Sequence, residues 1–422
     1  MLRHLLFIVL LFNLYGIPCF SQGQTAVPFL LISPYAETNG MGEASVANPT
    51  DDPLSPMTNP AHLGMLSQFG YFSFGYNYSQ WLPTFGARDL WLKTLAANVG
   101  INLQKLNKNA PPLSFGLGYS RLYLNLGTFI ITGPGGPTPL GTFDARETSD
   151  QFTMAVGADY WVRASVGLTY KHVVSRSSPV GTEQERGNGT GIANLYDYGF
   201  LIDVPLVGIA SRLADDPFKF GPNVSPYFDW TVGISRSNLG QGKITYIEAA
   251  AADPLPRYAR AGIGVDVGFV FDRDVVNWKP LSFKWSIEAS DVLVGANREY
   301  QSGLGDINFF DEVILGNTNM ETEKKKGWEL NVFEVISVRG GRFEEDPNRG
   351  NRRFNTSGWG VRLGGMLKML RAFNGPFDNE GVSGFLLNHI DVGYNHSEWN
   401  PDQQYAPLSG TKFDSFNITV YN

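Results

Sequence analysis

Cysteine is almost missing from this chain. The single one, Cys19, lies within the first twenty residues, so the remainder carries neither disulfide nor thiolate chemistry. Histidine is scarce as well, with five in 422 residues. None is spaced as H-x-x-x-H or H-E-x-x-H, which removes the common zinc patterns and leaves no expected metal or cofactor. Charged residues make up 17% of the chain, against about 25% in soluble domains. The net charge of −7 argues against nucleic acid as a partner. Beyond the amino terminus no apolar run reaches roughly 18 residues, which excludes spanning helices. What is plentiful is glycine, 48 residues, and aromatic side chains, 13%.

The amino terminus reads as a secretory signal over residues 1–21. Arg3 and His4 precede an apolar run over 5–15 that only Asn13 interrupts, and Cys19-Phe20-Ser21 sets up cleavage before Gln22. A lipoprotein reading of Cys19 requires a small residue before it, where Pro18 stands. An exported chain of this profile is either a soluble secreted β-protein or an outer-membrane barrel.

From Phe69 onward the pattern has period two. Over 260–272, Ala261, Ile263, Val265, Val267, Phe269 and Phe271 share one face, while Arg260, Gly262, Gly264, Asp266, Gly268 and Asp272 share the other. A sandwich core cannot be built on such a second face, whereas an apolar band facing outer-membrane lipid around a polar lumen can. Counting these runs gives about fourteen strands, centred on Phe74, Ala97, Leu117, Val156, Gly167, Tyr198, Val232, Val265, Trp285, Leu330, Ser337, Val361, Val392 and Ile418. The expected fold is all-β, a transmembrane antiparallel barrel over 68–422. Its last strand closes the sheet against the first. Long connections after odd strands, among them 127–148 and 293–326, mark the outer side. Leu122 and Leu124 break parity with Leu117 and Tyr119, which suggests a bulge near Ser120. Trp81, Trp91, Trp161, Trp278, Trp328 and Trp399 fall near strand ends, as an aromatic girdle requires.

Between signal and barrel, residues 22–67 form a segment of their own. Within it Pro49, Pro53, Pro56 and Pro60 each delete a backbone donor, so regular structure is disfavoured. With an even-stranded barrel following, the segment reads as a luminal hatch. Its motif residues are Gly40, Met41 and Gly42, the pair Asp51-Asp52, and Asn59-Pro60-Ala61. Gly40-Met41-Gly42-Glu43-Ala44, the acidic pair and Asn59-Pro60-Ala61 followed by Leu63 resemble the FadL-like outer-membrane barrels. Within them the closest resemblance is to the PorV/PorQ family of the type IX secretion system. His62 stands where that family's N-P-A-G-L pattern has glycine. The resemblance implies a non-enzymatic secretion accessory in the bacterial outer membrane. Its partners would be the C-terminal signal domains of secreted proteins and other secretion-system components. The alternative within the same superfamily is a FadL-type transporter of long-chain fatty acids or other hydrophobic small molecules. A soluble β-sandwich or propeller is the reading outside membranes.

Candidate chemistry is thin. His396 beside Ser397 raises a surface hydrolase, yet no G-x-S-x-G elbow occurs. Gly133-Pro134-Gly135-Gly136-Pro137 lacks the lysine of a phosphate loop. Lys324-Lys325-Lys326, at the expected outer rim, reads as a solvated charge cluster or as a set of lipid-phosphate partners.

Overall fold

A computed structural model describes residues 25–85, 89–133, 136–177, 189–215, 218–246, 252–273, 276–293, 303–346, 350–374, 384–385, 389–402 and 407–421. The proposed signal over 1–21 lies outside the described residues.

Fourteen strands close into one antiparallel barrel. In chain order they are β1 (Tyr71–Gln80), β2 (Trp91–Asn102), β3 (Leu113–Gly133), β4 (Gly136–Asp159), β5 (Arg163–Arg176), β6 (Thr190–Pro205) and β7 (Val224–Gly240). They continue as β8 (Arg257–Arg273), β9 (Val276–Leu293), β10 (Glu323–Val332), β11 (Ile336–Glu344), β12 (Arg353–Arg362), β13 (Ile390–Pro401) and β14 (Lys412–Tyr421). Each pairs with its neighbours in sequence, and β14 closes on β1 from Tyr71↔Tyr421 to Tyr78↔Asp414. Every centre read from the sequence falls in its own strand. Closure removes both sheet edges, so no strand presents unpaired backbone to lipid.

Side chains sort by parity. On β1, Phe72, Phe74, Tyr76 and Tyr78 face out and are exposed, while Ser73, Asn77 and Ser79 face in and are buried. Phe115 and Leu117, Phe152 and Met154, Val166 and Leu168, and Phe283 and Trp285 continue the exposed band around the wall. A belt of bare aromatic and aliphatic side chains on a closed barrel is a lipid-facing surface. The mouth that holds both barrel termini and the short turns, such as 160–162 and 333–335, is the inner one by the loop rule for such barrels.

Two expectations fail here in an instructive way. The stretch 127–148 is mostly strand, because β3 and β4 continue as a hairpin of 21 and 24 residues. The β2–β3 register runs unbroken through Ser120, and the bulge lies instead between Asn125 and Gly127. Leu122 and Leu124 therefore face the lumen.

The lumen is filled. Nearly every residue from Ser33 to Ser67 is buried, including two short helices, α1 (Ala36–Gly40) and α2 (Ala61–Leu66). The inward glycines are where this segment's backbone meets the wall. Gly75 faces Pro53, Gly157 faces Gly64, Gly199 faces Asn59, Gly233 faces Val46, Gly327 faces Met41 and Gly358 faces Gly40, and a Cβ at any of them would press on these atoms. Bare wall positions on opposite sides of the barrel place the segment inside it.

Candidate functional site

The site is the occupied lumen, and the motif residues sit in its middle. Gly40 carbonyl accepts from Thr356 Oγ1 at 2.8 Å, and Gly42 N donates to the same oxygen at 2.9 Å. Gly42 has φ +65°, a conformation glycine adopts freely, and its backbone lies hard against Gly341. Met41 is buried, and its backbone carbonyl packs on Gly327. Asn59 closes a local turn. Its Oδ1 accepts from Ala61 N at 3.1 Å, and its Nδ2 donates to Val46 O at 2.8 Å. Pro60 then leads into α2 with φ −54°, and the Ala61 carbonyl accepts from Ser165 Oγ of β5 at 2.6 Å.

The acidic pair splits. Asp51 reaches the wall and pairs with Arg362 of β12 at 2.5 Å. Asp52 turns inward, where Oδ1 accepts from Leu54 N at 2.9 Å and Oδ2 has no partner. Burial, reinforced by the nearby Glu37 charge, raises the Asp52 carboxyl to about 7. His62 lies fully buried with Nε2 3.2 Å from Val46 O and Nδ1 unpartnered. Burial lowers its pKa to about 4, so the ring is neutral at pH 7.

Sequence reading missed how the segment is held. It contributes carboxylates, and the wall answers with cations. Glu288 of β9 accepts from Ser45 N and Val46 N, both at 2.9 Å, and its other oxygen takes Arg260 Nε at 2.6 Å. Lys325 Nζ sits 3.5 Å from Glu43, 3.7 Å from Glu288 and 3.6 Å from Glu323. The middle member of the lysine triplet is thus a buried luminal cation, because strand parity turns Lys325 inward and its neighbours outward. A second network joins Glu37 to Arg339 at 3.4 Å and to Arg362 at 3.2 Å, with Arg339 also on Glu329 at 2.5 Å. Buried charges persist only when paired and hydrogen-bonded, and the segment's Glu37 and Glu43 find these cations only when the segment lies in the lumen. The one hint in the sequence was the charge on the otherwise glycine-rich faces.

Toward the outer mouth the lumen changes character. Leu92, Leu122, Leu124, Val173, Leu195, Phe343 and Phe354 point inward and form one apolar chamber. The chain's own Val27 and Phe29 fill it, with Leu30 and Ile32 packed alongside. Phe343 stacks on Phe354 at 4.7 Å, Phe354 on Trp399 at 4.7 Å, and Trp399 meets Phe413 at 5.0 Å. Trp81 joins them at 5.8 Å from Trp399. These two tryptophans belong to the chamber rather than to a lipid girdle. The parity break at Leu122 and Leu124 was the sequence signal for it. Val27 has φ 49°, a left-handed conformation that strains a β-branched residue by about 1–3 kcal/mol. Beneath residues 30–34 a cavity of about 30 Å³ remains, bordered by Lys171, Tyr258 and Arg260.

The adjacent His396 and Ser397 occupy opposite faces of β13. His396 pairs with Asp414 at 2.7 Å, while Ser397 is buried in the lumen. No dyad forms between them.

No family model and no curated protein match this chain. Among solved structures it is similar to the Pseudomonas putida toluene transporter TodX. Identity there is 11%, 92% of this chain and 97% of that one are covered, and the TM-score is 0.38. A Pseudomonas aeruginosa FadL homologue gives 12%, 94% and 99%, with a TM-score of 0.33. LpxR from Salmonella typhimurium gives 10%, 83% and 100%, with 0.31. The architecture rests on its own pairing register: the chain is a fourteen-stranded β-barrel of the outer-membrane type with an occupied lumen.

Proposed function

We propose that this barrel takes up hydrophobic small molecules, with the outer apolar chamber as their binding site and the segment 22–67 as its hatch. The observation that carries the reading is the chamber itself. Inward-facing leucines and aromatics serve no purpose in a water-filled pore, and the chain's own Val27 and Phe29 occupy them. Burying these side chains with parts of Leu30 and Ile32 contributes about 5–9 kcal/mol. Ordering residues 27–31 costs about 5–10 kcal/mol. The two nearly cancel, so an apolar ligand of similar size competes on even terms with the occupant. The strain at Val27 favours the ligand further.

The secretion-accessory role implied by the motif resemblance needs a docking surface on the long outer loops. Residues 294–302, the first part of the longest, lie outside the described residues, and no described feature favours that role over uptake.

Trp81 and Trp399 lie in the chamber wall and report on it. Titration of the purified protein with a long-chain fatty acid and with an aromatic hydrocarbon should quench or shift tryptophan emission saturably. Phe354→Asp, which places a charge among stacked rings, should weaken binding by tenfold or more. Equal binding by wild type and Phe354→Asp, or no saturable signal with either ligand, would overturn the uptake reading.

A further inference from the structure

Above the lipid-facing band, the outer wall of β3–β6 carries side chains in tiers set by the pairing register. An aromatic tier comes first: Tyr119, Phe152, Tyr170 and Tyr196 stand opposite one another across the four strands. One pair further out stand Arg121, Asp150, His172 and Asn194. Two pairs beyond that, Arg146 of β4 lies directly across from Arg176 of β5. Arg121, Asp150, His172, Arg146 and Arg176 line a concave depression of about 650 Å³ on the outside of the barrel, directly above the aromatic tier.

Charge in this depression is unbalanced. Asp150 accepts from Tyr119 at 2.6 Å and lies 3.7 Å from Arg121. Asp144, next out from Arg146 on the same face, accepts from Thr128 at 2.7 Å. Neither the Arg146 nor the Arg176 side chain has a hydrogen bond or ion pair among the described residues, and both are exposed. Like charges directly opposite in an antiparallel pair destabilise it, and a shared anion reverses that sign. His172 Nδ1 is 3.0 Å from Asn194 Oδ1, which leaves its Nε2 unengaged.

We propose that this depression binds a phosphorylated glycolipid of the outer leaflet, its acyl chains against the apolar band and its phosphates on the two basic tiers. Guanidinium pairs grip phosphate oxygens in bidentate fashion. The aromatic tier marks the level at which rings meet the headgroup boundary, so Arg121 and His172 lie at the first phosphates. Arg146 and Arg176 lie four residues further along their strands, about 13 Å away. A headgroup with phosphates on different sugars spans that distance, and free phosphate does not.

The test is native mass spectrometry of the full chain in detergent. Its probes are a diphosphorylated lipid A carrying inner-core sugars, the same lipid after phosphatase treatment, and inorganic phosphate. Wild type should retain the phosphorylated lipid and lose the treated one, with millimolar phosphate failing to displace it. Arg146→Gln/Arg176→Gln should weaken retention about tenfold or more, while Lys412→Gln on β14, outside this depression, leaves it unchanged. Heat-modifiable gel mobility confirms a folded barrel, and Arg176→Gln alone serves if the double variant does not fold. Equal retention of treated lipid, unchanged retention by the arginine variants, or displacement by inorganic phosphate each overturns the assignment.

Discussion

Glu288→Ala is the substitution that most directly tests how the luminal segment is held. One carboxylate on β9 accepts two consecutive backbone N–H groups of the segment and balances Arg260, with Lys325 nearby. Its removal leaves two buried donors unsatisfied at about 1–3 kcal/mol each. It also strips a counter-charge from a buried cation pair, a loss of about 3–5 kcal/mol. These effects overlap, so a net weakening of docking near 5 kcal/mol is the working figure. A shift of about 5.5 kcal/mol carries a two-state equilibrium from 99:1 to 1:99. The barrel itself should survive, because its ladder bonds and lipid-facing band do not involve this side chain. Single-channel conductance in planar bilayers should therefore rise, and protease should cut within 25–67 while the barrel keeps its heat-modifiable mobility. Lys93→Gln, an outward cation over the Trp91 ring at 4.2 Å, should do neither. If Glu288→Ala conducts and resists protease as wild type does, the luminal ion network is not what docks the segment.

Other expectations follow from the same geometry. Gly199→Val and Gly233→Val drive a side chain into Asn59 and Val46. Both should raise conductance, whereas a valine at the outward Tyr198 should not. Docking should also respond to pH through two groups of opposite sign. His62, lowered to about 4 in place against about 6.5 when free, favours the docked state above 6.5 and loses that contribution as pH falls toward 4. Asp52, raised to about 7 from about 3.9, binds its proton more tightly when docked, so docking gains as pH falls from 7 toward 4. Wild-type conductance should then be nearly flat between pH 6.5 and about 4. Asp52→Asn should open progressively over that range and His62→Leu should close. A steep wild-type response, or variants moving the other way, would contradict these assignments.

Parity alone was enough to place the strands. Side chains alternate faces with period two whatever the sheet does globally, so all fourteen strand centres were legible in the sequence. Gly42 and Asn59-Pro60 stood out in the sequence for local reasons that the structure repeats, a positive φ at Gly42 and a turn at Asn59. The ion networks were not. Glu37 and Arg339 are 302 positions apart, and nothing local says that they meet at 3.4 Å. Lys325 looked like one of three surface lysines until the register turned it inward. The apolar chamber left a trace at Leu122 and Leu124, but a parity break has two readings, a bulge or an inward-facing leucine. Only the neighbouring strands distinguish them.

The sequence by itself determined the barrel, because lipid on one side and a polar lumen on the other impose a period that each strand must obey alone. The tertiary structure decided what fills the lumen. Closing the sheet brings glycines from eleven strands around one buried segment, sets its carboxylates against distant arginines, and gathers scattered leucines and aromatics into a chamber at the outer mouth. Those relations depend on which strand stands beside which and at what height, and no window of the sequence contains them.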